Sequence, residues 1–330
     1  MKTLAFFNNK GGVGKTTLIY HLSWMFAELG QRVLAVDLDP QANLSAMMLS
    51  EAMLYEKVED KLSLVEAFRP LIKGIGDIQP AHIEPITSNI DLLIGNLELS
   101  SFEDRFSDSW AKCLDKQEPA FRFTSAFHRI IQEAAARVEA NYVLIDVGPN
   151  LGSINRAALI ASNYIIFPVA ADLFSVQGMS NVGKTVGDWS EEWRERQRKN
   201  PDRDIVLPNP ETMMQPLGYV VSQHGLRERR PVKAYQNWAN KIPFIYQRDI
   251  LHHENAVEGL SIEEDENCLS LLKHYRSLMA MAMEVNKPVF LLKPADGAIG
   301  AHLEGVRRAY DDFKILSNII LDKLNSLSPQ

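Results

Sequence analysis

The sequence predicts an α/β protein built on a mostly parallel, twisted sheet with helices on both faces. Three observations carry the prediction. The first forty residues read strand, glycine-rich loop, helix, strand; short β-branched runs recur between helical stretches; and the 330 residues contain no internal repeat and no linker. Strands that alternate with helices pair in parallel, because each crossover returns the chain to the same end of the sheet.

Thr3 to Phe7 is the first strand. Leu18, Ile19, Leu22, Met25, Phe26 and Leu29 then mark one face of a helix, which Gly30 ends. Val33 to Val36 is the second strand and leads into Asp37-Leu38-Asp39-Pro40. Further strands are expected at Ile90 to Ile94, Tyr142 to Val147, Tyr164 to Val169, Leu217 to Ser222 and Val289 to Leu292. Phe127, Ile130, Ile131, Ala134, Ala135 and Val138 give the helix before Tyr142, and a last helix runs from about Ala301 to Leu327. The expectation is one domain over 1–330 with two decorations. Residues 50–119 read as acidic and irregular, and residues 187–216 as charged and proline-rich.

Thirty-five Lys and Arg against 42 Asp and Glu leave a net charge of -7, so the surface as a whole does not favour nucleic acid or anionic lipid. Cys113 and Cys268 stand far apart with no Cys/His cluster at metal spacing, against structural zinc, an iron–sulfur site within one chain, and a disulfide framework. The apolar stretch Leu4 to Phe7 is shorter than the roughly 7 to 15 residues of a signal-peptide core, and no run approaches the roughly 20 of a membrane helix. A cytoplasmic protein is expected.

The chemistry is concentrated at Lys10-Gly11-Gly12-Val13-Gly14-Lys15-Thr16-Thr17. This segment follows a strand and opens a helix, the context in which glycines let backbone N–H groups cradle phosphate while the helix N-terminus adds positive charge. Lys15 is expected to reach the β- and γ-phosphates and the Thr16 hydroxyl to ligate Mg²⁺. An ordinary phosphate loop needs no lysine at the position of Lys10.

With that lysine in place the sequence resembles the deviant Walker A ATPases of the ParA/MinD family, whose signature is K-G-G-x-G-K-T. The resemblance implies a P-loop NTPase fold, ATP and Mg²⁺ as cofactors, and a homodimer in the ATP state in which Lys10 reaches the partner's nucleotide. Val36 to Leu44 (VDLDPQANL) is similar to the family's second motif, which gives Asp39 the role of orienting the attacking water and puts Asp37 nearer the Mg²⁺ shell. Asn141 to Asn150 is similar to the Walker B strand and switch II, placing Asp146 in the outer Mg²⁺ shell. Here switch II reads Asp146, Val147, Gly148, Pro149 where the family usually writes D-T-P-P or D-C-P-P, so Gly148 frees backbone that proline would stiffen.

Gly178 to Thr185 (GMSNVGKT) also satisfies the phosphate-loop pattern. Val176, Met179, Val182, Val186, Trp189 and Trp193 keep helical spacing straight through it, which predicts a helix with Lys184 on a solvated face.

The resemblance extends to a partition or positioning ATPase of the short type. Such a protein would bind DNA without sequence preference, associate with the nucleoid, and have its hydrolysis stimulated by a ParB-like or cargo-adaptor protein. Nine basic residues against five acidic ones from Arg194 to Lys233 make a local +4, and Arg227, Arg229, Arg230 and Lys233 are the DNA-binding candidates. Two alternatives stand beside this reading. A MinD-like membrane regulator would use the stripe Phe313, Leu316, Ile319, Ile320, Leu324 and Leu327, but the polar face of that helix lacks the basic enrichment of an interfacial anchor, so docking on the core and no stable membrane insertion are expected. A metabolic ligase resembling dethiobiotin synthetase would need a small-molecule pocket.

Overall fold

A computed structural model describes residues 1–223, 232–273, 275 and 277–327. In chain order the elements are β1 (Lys2–Phe6), α1 (Lys15–Glu28), β2 (Val33–Asp37), α2 (Asn43–Met48), α3 (Glu51–Glu59), α4 (Val65–Lys73), β3 (Glu84–Pro85) and β4 (Ile90–Leu93). Then come α5 (Glu103–Lys112), α6 (Glu118–Thr124), α7 (Ala126–Arg137), β5 (Tyr142–Asp146), α8 (Ser153–Ile160), β6 (Tyr164–Val169) and α9 (Leu173–Gln197). The chain closes with β7 (Gln215–Gln223), α10 (Val232–Ala239), α11 (Ile242–Ile245), β8 (Cys268–Lys273), α12 (Ser277–Glu284) and α13 (Ala301–Ser326).

Eight strands form one sheet in the order β3-β4-β2-β5-β1-β6-β7-β8. Every pairing is parallel except that of β3 with β4 at one edge. Successive residues of a strand point to opposite faces, and the core divides accordingly. Leu4, Phe6, Ala35, Leu144 and Ile166 pack under α1, α2, α12 and α13. Ala5, Leu34, Val36, Ile145 and Phe167 pack under α4 to α9. Both faces are covered, so the central strands read as unbroken apolar runs rather than alternating ones.

Two expectations need correction. Val289 to Leu292 is no strand: Val289–Leu291 is a single 3-10 turn behind Pro288, and the Val289 N–H donates to His21 Nε2 instead of to a sheet neighbour. A short apolar run has no period that separates a strand from a buried turn. The eighth strand is Cys268–Lys273, whose mixed CLSLLK sequence escaped notice. Residues 50–119 are also far from irregular. They contain α3, α4, β3, β4 and α5, and bury Phe68, Phe102, Phe106 and Trp110 in the main core. The first part of 187–216 continues α9, and Trp193 lies fully buried with its Nε1 donating to the Pro208 carbonyl at 3.0 Å.

The second phosphate-loop pattern lies inside α9, as its periodicity predicts, and Lys184 is exposed. Its glycines serve packing. A methyl group on Gly183 would stand 2.1 Å from the Asp249 carbonyl oxygen, so only glycine lets α9 meet the π-turn at Tyr246–Ile250. Helix α13 docks on the sheet through Phe313, Leu316, Ile320 and Leu324, and Leu327 remains exposed.

His21 ties α1 to the C-terminal third of the chain. Its Nδ1 donates to the Thr17 carbonyl at 2.7 Å, Nε2 accepts from Val289 N at 3.1 Å, and the ring stacks on Phe313 at 4.8 Å. Both nitrogens are used by the neutral ring, and burial pulls its pKa down from 6.5 to about 4. The unfolded chain binds the proton first, so stability is complete above pH 6.5 and drains away as the pH falls toward 4. The displacement corresponds to on the order of 3 kcal/mol at the acid end. Replacing His21 with Ala is expected to lower stability at pH 7 and to flatten the slope between pH 6.5 and 4. Urea unfolding across that range checks it, and an unchanged slope would count against the assignment.

Candidate functional site

The phosphate-loop segment sits where the strand order reverses. β1 lies between β5 and β6, and its connection to β2 runs to one side while β6 lies on the other. Ligands of open parallel sheets bind in the crevice at such a point, beyond the C-terminal strand ends. Gly12 and Gly14 have φ of 74° and 85°, in the left-handed region that side-chain-bearing residues avoid. Gly14 is the N-cap of α1, and no side chain caps that helix, so its first turn of N–H groups around Lys15, Thr16 and Thr17 faces the crevice. Gly11 is exposed; Val13 is buried and its carbonyl accepts from Ser222 Oγ at the end of β7 (3.0 Å).

Lys15 folds back over its own loop. Its Nζ donates to the Asn8 carbonyl at 3.1 Å and the Lys10 carbonyl at 3.4 Å. Burial lowers its pKa, while the carboxylates of Asp146 and Asp39 pull the other way. Lys10 takes a different direction. Its Nζ pairs with Asp172 Oδ2 at 2.6 Å and Ser175 Oγ at 3.2 Å, so within one chain it is held at the N-terminus of α9, where Asp172 is the cap.

The three aspartates converge from neighbouring strands. Asp37 and Asp146 are register partners at the ends of β2 and β5, and both are fully buried. Asp37 Oδ2 accepts from Ser45 N and Ser45 Oγ, each at 2.8 Å, and its Oδ1 has no hydrogen-bond partner. Gly95 allows this approach, since a methyl there would come within 2.8 Å of the carboxyl carbon. Burial pushes the Asp37 pKa up to about 7 against the two Ser45 bonds. Asp146 has neither oxygen hydrogen-bonded, and burial, then the charge of Asp37, raises its pKa well above the ordinary value. Thr16 and Lys15 favour its anion. Asp39 sits beside switch II, with Oδ1 accepting from Gln41 N at 3.0 Å and lying 3.4 Å from where a methyl on Gly148 would be.

Two adjacent buried carboxylates with orphaned oxygens next to a hydroxyl and a lysine fit a divalent cation brought in with phosphate. Among the described residues no group of three or more His, Cys, Asp or Glu could hold a metal ion unaided. That suits Mg²⁺, which takes one or two protein oxygens and fills its octahedron with water and phosphate. Thr16 could bind directly and Asp146 through water; Asp37 has only Oδ1 to offer.

Several contributors carry no signal in the sequence. Asn8, Ser45, Gly95, Asn155 and Ser222 join the site through contacts between distant segments. Asp172 had a signal, as an N-cap residue just after a strand. A cavity of about 270 Å³ beside Gly14 and Thr17, lined also by Leu18, Tyr275, Met279 and Phe313, was not foreseen. The DNA-binding candidates Arg227, Arg229 and Arg230 lie outside the described residues, as does the side chain of Lys233. Elsewhere in the basic stretch, Arg196 is buried and donates to the Trp110 and Glu192 carbonyls, Lys199 pairs with Glu195, and Arg194 with Glu211. Of the three only Arg196 is buried; the other two pairs lie at the surface.

A strand, a glycine loop and a helix at the switch point of a parallel sheet, with acidic strand ends beside them, define a P-loop nucleoside triphosphatase fold. A family model described as an AAA domain matches residues 1–198. The chain belongs to the ParA/MinD family of ATPases. It is 27% identical to the sporulation initiation inhibitor protein Soj of Bacillus subtilis over 190 residues, 56% of this chain and 64% of Soj. The chain spans about half the length of several other curated relatives it matches. Protein DIP2308 from Corynebacterium diphtheriae shares the fold with a TM-score of 0.72 at 24% identity, over 99% of this chain and 100% of that one. McdA from Cyanothece, solved as an ATP complex, does so with a TM-score of 0.62 at 17% identity, over 98% and 96%.

Proposed function

We propose that this chain is an ATP-switched partition or positioning ATPase: it binds Mg-ATP, dimerises around it, binds DNA without sequence preference in that state, and is reset by hydrolysis that a partner protein stimulates. The observation that carries the reading is the buried Asp37–Asp146 pair facing Lys15 and Thr16 at the mouth of the loop. Backbone N–H groups from Gly11 to Thr17 would hold the phosphates, with Lys15 on the β- and γ-phosphates. Mg²⁺ bound with the nucleotide would neutralise phosphate charge. Asp39 would orient the attacking water, and Lys10 would act on the partner's nucleotide. The cavity beside Gly14 has room and apolar walls for the nucleoside.

Dimerisation is supported by what surrounds Lys10. Leu151 at switch II and Leu173 and Phe174 at the start of α9 are 38%, 39% and 70% exposed, an apolar rim on the face where Lys10 leaves the loop. Covering it with a second copy would remove that surface from water. The MinD-like alternative is weakened because Phe313, Leu316, Ile320 and Leu324 of the α13 stripe are buried in the core. The ligase reading would require a second small-molecule site beside the nucleotide.

DNA binding separates the readings. Fluorescence anisotropy on two unrelated duplexes is expected to show binding with ATP and little with ADP, equal for both sequences, with nucleoid association following from it. The logarithm of affinity should fall with log salt by roughly 0.9 per neutralised phosphate, and changing Arg229 and Arg230 to Ala, four cations in the dimer, should lower that slope by up to about 3.6 while ATP binding persists. Equal binding with both nucleotides, or none with either, would remove DNA from the proposal.

A further inference from the structure

The structure assigns Glu103 as a positioning residue for hydrolysis, acting through the helix that follows switch II; the assignment rests on the ATPase reading above. Glu103 is the first residue of α5, in the stretch that the sequence presented as decoration. Its carboxylate occupies the N-terminus of α8. Oε1 accepts from Ser153 N and, at 2.8 Å, from Ser153 Oγ; Oε2 accepts from Ile154 N at 3.3 Å. The fit is close enough to require glycine next door, since a methyl on Gly152 would stand 2.5 Å from Glu103 Oε1. A carboxylate here satisfies donors that the helix cannot and opposes its dipole. One turn further on, the Arg156 guanidinium of α8 lies 4.2 Å from the ring centre of Trp110, also on α5. Helix α5 therefore grips α8 at two points.

What α8 then holds is switch II. Asn155, in its first turn, is buried, and its Oδ1 accepts from Gly148 N at 3.2 Å. Its Nδ2 donates to the carbonyls of Gly148 at 2.8 Å and Asn150 at 2.7 Å. Gly148 lies beside Asp39, whose Oδ1 would stand 3.4 Å from a methyl group placed there. Hydrogen bonds run from Glu103 through α8 and Asn155 to Gly148, beside the aspartate assigned above to orient water. This grip matters more here because Gly148 leaves the loop without the stiffness of proline. Glu103 holds the start of α8 rather than the phosphate loop, so it should govern turnover and leave nucleotide affinity alone.

The test compares wild type, Glu103→Gln and Glu103→Ala by single-turnover hydrolysis, calorimetric ATP affinity and amide exchange over residues 147–155. Gln keeps the volume and one acceptor but turns an N–H toward Ile154, so it should be intermediate. The Ala variant should lose roughly 10- to 100-fold in turnover, the scale of a misplacement near 1 Å, with affinity within about threefold and faster exchange in the switch. Unchanged turnover despite faster exchange would overturn the assignment. So would turnover and affinity falling together with thermal stability in both variants. A wild-type protein that binds ATP without hydrolysing it would instead bring down the ATPase reading, and this assignment with it.

Discussion

Lys15→Ala is expected to lose ATP binding, while Lys184→Ala binds as wild type does. Both lysines stand in a Val-Gly-Lys-Thr sequence, and the backbone around them separates the two. Around Lys15 the chain turns through left-handed glycines at 12 and 14 and presents the first turn of α1. Around Lys184 it is continuous α-helix, whose N–H groups are already spent on carbonyls four residues back. Hydrogen bonds to charged groups contribute about 1.5 to 3 kcal/mol each, so removing two from the phosphates should cost roughly 10² to 10⁴ in affinity. Calorimetric titration with Mg-ATP reads both variants. Binding lost in Lys184→Ala would show that the helix is the wrong description of residues 178–185.

Asp39→Ala and Lys10→Ala should separate dimerisation from chemistry. The first removes the carboxylate beside Gly148 without touching the loop, so the protein should still take up ATP and accumulate as a dimer on size exclusion. A strictly monomeric Asp39→Ala protein would count against the two-chain mechanism. The second should keep ATP and lose stimulated hydrolysis, by a factor of up to about 10³ to 10⁵ if Lys10 does for the partner what an arginine finger does. The Lys10–Asp172 ion pair is not a large obstacle to such a role. Both side chains are partly exposed, and pairs of that kind contribute about 0 to 1 kcal/mol, so the ammonium can exchange one anionic partner for another at small cost.

Local pattern made part of this site readable. A glycine loop between a strand and an amphipathic helix is a feature of consecutive residues, and so is the periodicity that rejects Gly178 to Thr185. Aspartates 37, 39 and 146 were assigned through the resemblance of their segments to family motifs, and they stand at strand ends, which converge in a parallel sheet. The missing pieces are tertiary. Asp172 meets Lys10 across 162 positions and Glu103 meets Ser153 across 50; Asp172 reads locally as a helix cap, but nothing local announces either distant partner. The misplaced strand has a similar cause. Val289 and Phe290 are apolar because they fill space against α1 and α13, a demand that a turn and a strand make equally.

The His21 contacts divide the site into a datum and a gauge. Pinned in its second turn to Val289 and stacked on Phe313, α1 has little freedom to shift relative to the C-terminal third. The phosphate-facing end of that helix is thereby a fixed reference from which distances are taken. The opposite wall, built of switch II and the start of α9, is held by side-chain hydrogen bonds from Asn155, Glu103 and Asp172 rather than by stacked rings. In the proposed switch, a nucleotide seated between them would press on a stiff wall and a more compliant one, so a third phosphate would displace chiefly the second.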